Sequence, residues 1–228
     1  MIYSLLNSEG LTAEQAIAIF LIGTFVFFVS IVLREFFKGV AAFKMGDPTP
    51  KLAGRLTANP VKHLDPMGFL FFIFVGVGWA KPMPINPLNF KKYKSGIRTI
   101  SLLGILVNFI LGLIAAFIYV ILIRCGAAGS VMVYVYTILE YFMIINGALT
   151  MFHLIPLFPM DGYMFIASFM KTENKYIKFN QKNGYRTLLL IILASLLIEF
   201  ISGIAIFEIY LDCICNFIYN PILMLGVL

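Results

Sequence analysis

Apolar side chains gather into five runs along the chain, and most are too long for the alternation of a half-buried strand. The first opens at Thr12, with Gln15 three residues on, the spacing of a helix capping box. Residues 16–33 then contain no charge, long enough to cross a bilayer core as a helix. The helical pattern continues to Gly46, followed by Asp47 and Pro48 as a stop. The second run, 67–79, is too short to span and has glycines at 68, 76 and 78, so it predicts a re-entrant segment. The third covers 97–123. The fourth, 131–170, is broken near Pro156 and Pro159. The fifth starts at Thr187 and reaches about Tyr210. One membrane domain, 1–228, follows from this pattern. Its parts are a first helix at 12–46, loops with the re-entrant segment at 47–96, a span at 97–124, a broken span at 131–170, and a last span with its tail at 187–228. Short alternating runs around the prolines at 82, 84 and 87 predict a small β element.

Composition excludes the alternatives. Of 228 residues, 61% are hydrophobic and 12% charged, too few charges for the surface of a soluble domain. Disorder needs the opposite balance. The expected class is an all-α polytopic membrane protein. No cleavable leader is expected, since residues 1–11 carry no Lys or Arg. Three cysteines, at 125, 213 and 215, are too sparse for a disulfide framework.

The net charge of +6 bears on topology. Of the 17 basic residues, nine fall between Lys44 and Arg98 and five between Lys171 and Arg186. By the positive-inside rule both regions are cytoplasmic, and the N-terminus lies outside. The charge suits anionic lipid, and no nucleic acid partner is expected.

Arg34, Glu35, Lys38 and Asp161 are ionisable residues within apolar runs, where such groups are costly and face protein partners. Arg34 precedes Lys44 by ten residues, and Asp161 precedes Lys171 by ten. If both pieces are helical, each group lies about 15 Å from its lysine. Arg34 and Lys38 share a helix face. The spacing predicts that this face meets Asp161, next to a backbone that Pro156 and Pro159 interrupt.

Several segments carry a resemblance. GRLTANPVKHLDPMG at 54–68, GWAKPMPINPLNF at 78–90, the Gly104 and Asn108 pair, and Asn146, Leu149 and Phe152 leading into LIPLFPMDG resemble, in order, the site-2 protease family. These are intramembrane zinc metalloproteases, here in their small bacterial form, and the resemblance covers roughly 30–165. It implies a site-2 protease-like transmembrane core with a small cytoplasmic-side β element, in a bacterial cytoplasmic membrane. It also implies an HExxH helix with two zinc-binding histidines, a glutamate base and a later aspartate ligand.

This chain departs from that pattern. It has Arg34-Glu35-Phe36-Phe37-Lys38, so Glu35 keeps the base position and Asp161 the aspartate, while both histidine positions hold cations. Phe37 stands where the family has a small residue, and His153 replaces an asparagine. With Asn146 and Pro156, these two are the expected groove residues. Arginine has no lone pair to offer a metal, and lysine would first have to lose its proton. No metal or other cofactor is therefore expected. A rebuilt site from His63, His153 and Asp161 is an alternative. The leading functional expectation is an inactive homologue, a pseudoprotease, that binds a client helix or an active protease in the bilayer. The alternatives are an intramembrane metalloendopeptidase with an unconventional site, and a charged conduit or transporter.

Overall fold

The computed structural model describes residues 12–75, 78–202, 209 and 219–224. These residues are helical, with turns and loops between. Helix α1 spans Ala13–Lys44, and its N-terminus is closed by the capping box: Thr12 Oγ1 accepts from the Gln15 N–H, and Gln15 Oε1 accepts from the Thr12 N–H. Short helices α2 (Thr49–Leu52), α3 (Pro60–His63) and α4 (Pro66–Val75) follow. Helix α5 covers Tyr93–Arg124, α6 Ser130–Leu154 and α7 Asp161–Ala167. Helix α8 (Lys175–Phe179) runs through a π-helical turn at Asn180–Gly184 into α9 (Tyr185–Ser202), and α10 is Asn220–Met224. The chain is an integral membrane protein: four helical stretches, Ala13–Lys44, Tyr93–Arg124, Ser130–Leu154 and Lys175–Ser202, are long and apolar enough to cross a bilayer.

Helices α1, α5 and α6 form the centre. Small residues on their facing sides, Ala42, Gly104, Ala115 and Ala116, let the backbones approach, as packing between helices in lipid requires. Within that contact Asn146 donates to Ser30 Oγ at 2.9 Å, and Ser30 donates to the Val26 carbonyl. Helix α4 lies beside α1, with Phe72 stacked on Phe27 at 4.1 Å between ring centroids. Helix α9 touches the centre through Leu188 and Ile192, against Phe152 and Met160. Most of its other large side chains, Leu190, Leu193 and Phe200 among them, are exposed, as befits a lipid-facing surface.

Two expectations change. No strand forms among the described residues. The loop pairing is one antiparallel bridge, Leu64 with Ala80, together with a bond from the Lys81 N–H to the His63 carbonyl. Prolines at 82, 84 and 87 lack the N–H groups that would extend a ladder. The helix that starts at Asp161 ends at Ala167 and does not continue to Lys171, so the 15 Å rise assumed for it does not apply.

Asp47 ties the end of α1 to the loops. It is fully buried and accepts from the Thr49 N–H (3.1 Å), the Asn86 N–H (2.7 Å) and Asn89 Nδ2 (2.8 Å). Burial pushes its carboxyl up. The hydrogen bonds from Thr49, Asn89 and Asn86 outweigh that and hold it below the usual carboxylate range. A folded value below the unfolded one, about 3.9, gives stability that is present above pH 4 and lost as pH falls through the folded value. Asp47→Asn is expected to lower thermal stability at neutral pH by about 1–3 kcal/mol and to flatten the acid limb. Unfolding curves of both proteins between pH 3 and 7 check this, and parallel pH profiles would contradict it.

Candidate functional site

A cluster of four charges sits where α1 meets the start of α7. Arg34, Glu35 and Lys38 come from one side of α1. Asp161 is the first residue of α7, whose helix N-terminus favours a negative side chain. The Arg34 guanidinium donates to both Glu35 Oε1 and Asp161 Oδ2. Lys38 Nζ donates to Asp161 Oδ1 at 2.7 Å. The second Glu35 oxygen accepts from the Met83 N–H at 2.8 Å. Arg34, Glu35 and Asp161 are 5%, 2% and 5% exposed, so solvent does little to screen the four. Two cations against two carboxylates cancel locally, and pairing of this kind is what makes burying them tolerable.

The backbone is fitted to this cluster. Gly104 on α5 lies against Asp161 and Lys38. A Cβ there would stand 2.9 Å from Lys38 Cδ and closer still to the Asp161 carboxylate, so a larger residue would push these two side chains out of their present arrangement. Beside the cluster is a cavity of about 360 Å³, lined by the four residues, His153, and apolar side chains such as Leu149, Leu188 and Ile192. His153 Nδ1 is 3.9 Å from Asp161 Oδ2, too far for a hydrogen bond, and has no hydrogen-bond partner among the described residues.

Other residues singled out from the sequence lie elsewhere. Phe37 is 45% exposed, packs edge-on against Phe36 and does not line the cavity. With Arg34, Glu35 and Lys38 turned inward, the helical repeat carries Phe37 to the outer side of α1, so the expectation that it fills the groove is corrected. Pro156 is exposed and also lies outside the cavity. Its carbonyl accepts from the Tyr176 hydroxyl, while Pro82 and Pro159 are the prolines that line the space. Asn146 is buried in the contact with Ser30. His63 is fully buried, and its Nε2 bonds to the Thr57 carbonyl at 2.8 Å.

Two contributors escaped the sequence reading. Met83 acts through its backbone N–H, which no residue type reveals. Arg55 is buried, donating to the carbonyls of Lys81 (2.8 Å) and Pro82 (3.4 Å), and so holds the segment that presents Met83 to Glu35. Its place in the GRLTANP loop was the available signal.

No family model and no solved structure matches the chain. One curated relative does. "Putative zinc metalloprotease YwhC" of Bacillus subtilis (strain 168) is 35% identical over 170 residues, covering 72% of this chain and 76% of the relative. The chain belongs to the site-2 protease family.

For a site-2 protease the implied cofactor is zinc, and the residues present do not fit it. The positions that correspond to the two histidine ligands carry a guanidinium and an ammonium, which have no free lone pair when protonated. Both Asp161 oxygens are engaged by those cations, and Glu35 is shared between Arg34 and Met83. The rebuilt ligand set also fails. Among the described residues no three of His, Cys, Asp and Glu come together as metal ligands, and His63 is bonded within its own loop.

Proposed function

We propose that this site-2 protease homologue is catalytically inactive and acts by binding a partner in the membrane. One observation carries the reading: the Arg34 and Lys38 side chains reach across to Asp161, so a cation already fills the place where a metal's charge would be needed. Zinc supplies a Lewis acid and a lowered water pKa to this class of hydrolase. An arginine–lysine pair supplies neither, and both Glu35 oxygens already accept hydrogen bonds, from Arg34 and from the Met83 N–H. What the scaffold retains is a membrane cavity with an apolar wall, suited to part of a client helix or to contact with an active protease.

Elemental analysis of purified, chelator-washed protein tests this. The expected result is far less than one zinc per chain. About one tightly held zinc per chain would overturn the proposal and favour an unconventional metalloprotease.

We further read the protein as lying in a bacterial cytoplasmic membrane with its N-terminus outside, from the placement of fourteen of the seventeen basic residues at 44–98 and 171–186. In that frame Phe27 is 17 residues up α1 from Lys44, about 25 Å. The stacking of Phe72 on Phe27 then supports α4 as a re-entrant element. Single cysteines replacing Lys92 and Lys178 are expected to react with a membrane-impermeant maleimide only after the inner face is opened. Labelling of both in intact cells would reverse the topology.

A further inference from the structure

Glu140 stands apart from the four-residue cluster and on the opposite kind of surface. It lies on α6, a membrane-spanning helix, and its side chain is exposed. It is ten residues from Ser130 and fourteen from Leu154, so about 15 Å and 21 Å of helix separate it from the two ends. A glutamate side chain is too short to reach either interface from there. Ionisable groups at such depth normally turn inward to partners. Glu140 instead faces the lipid side.

Its surroundings hold it in place. The Tyr119 hydroxyl donates to Glu140 Oε1 at 3.2 Å. Tyr119 packs edge-on against Tyr136 at 5.0 Å between centroids, and the Tyr136 hydroxyl is bonded to the Ala127 carbonyl. Both tyrosines sit on the heavily packed α5–α6 pair, so the carboxylate projects from a rigid base. Among the described residues no Lys, Arg or His lies within ion-pairing distance of Glu140, and Tyr119 is its one side-chain donor.

We propose that Glu140 is the docking point for a partner transmembrane helix that carries a lysine or arginine in the half of the bilayer nearer Ser130. Charge complementarity selects this occupant. A lipid tail offers no donor, and a second copy of this chain would bring another carboxylate to the same face. A basic side chain satisfies Glu140 and is itself satisfied, both out of water. The site stands on Glu140 and its neighbours, independent of whether the chain cleaves anything.

The test uses the full chain in liposomes with fluorescent leucine-based transmembrane peptides of about 20 residues. One peptide is all-apolar at its centre, one has a lysine about 15 Å from the end matching Ser130, and one has the lysine about 25 Å from that end, near the opposite interface. Energy transfer should show the matched-lysine peptide associating about tenfold more tightly than the other two, and Glu140→Gln should remove that preference. The glutamine keeps shape and hydrogen bonding, and its unchanged association with the apolar peptide reports an intact fold. Equal association of all three peptides with the parent chain would overturn the proposal. So would a preference that survives Glu140→Gln, or Glu140-dependent association of two labelled copies of the chain without peptide.

Discussion

The double variant Arg34→His, Lys38→His is expected to bind about one zinc per chain where the parent binds almost none. Two imidazoles at i and i+4 on one helix face, with Asp161 released from both its cations, form a three-ligand set of the usual catalytic kind. Elemental analysis after chelator washing reads the gain directly. Cleavage of a model transmembrane substrate is not expected to follow. His153 remains on the cavity wall beside Asp161, where it takes up space a substrate strand would need, and one Glu35 oxygen remains tied to the Met83 N–H. Adding His153→Asn is the change expected to matter next. Phe37→Ala is not, because Phe37 lies outside the cavity. Turnover by the two-histidine variant at a rate near that of an active homologue would mean that only the metal had been lost, and the remodelling inferred around it would be wrong.

The second large effect concerns stability. Asp161→Ala is expected to cost about 3–5 kcal/mol, because it leaves Lys38 with no carboxylate and Arg34 with Glu35 alone, all at low exposure. Few membrane proteins can absorb such a loss, so the variant should be recovered mostly as aggregate. The compensated change Lys38→Met with Asp161→Leu removes one charge of each sign and keeps the Arg34–Glu35 pair. It should restore most of the folded, monodisperse fraction after detergent extraction, within about 1–2 kcal/mol of the parent. If the double change were as damaging as Asp161→Ala, Asp161 would be needed for something other than balancing charge.

These two experiments probe features of unequal visibility in the sequence. Charge is scarce in this chain, and hydrocarbon punishes an unpaired ion. Arg34, Lys38 and Asp161 could therefore be expected to meet on cost alone, and the helical repeat put the first two on one face. The spans were legible for the same reason, since an uncharged run such as 16–33 has few other places to go. The capping box at Thr12 followed from local backbone needs that no neighbour alters.

Tertiary structure decided the rest. Phe37 is as apolar as any core residue, and its outward position depended on which side of α1 the charges claimed. The expected β element came down to one bridge between Leu64 and Ala80, because prolines remove the donors a ladder needs and Arg55 takes the carbonyls of Lys81 and Pro82. Met83 enters the site through a backbone N–H, a group every non-proline residue has, so only its position distinguishes it. The lipid-facing placement of Glu140 likewise depends on how α6 is rotated against α5, which interhelical packing sets and residue identity does not.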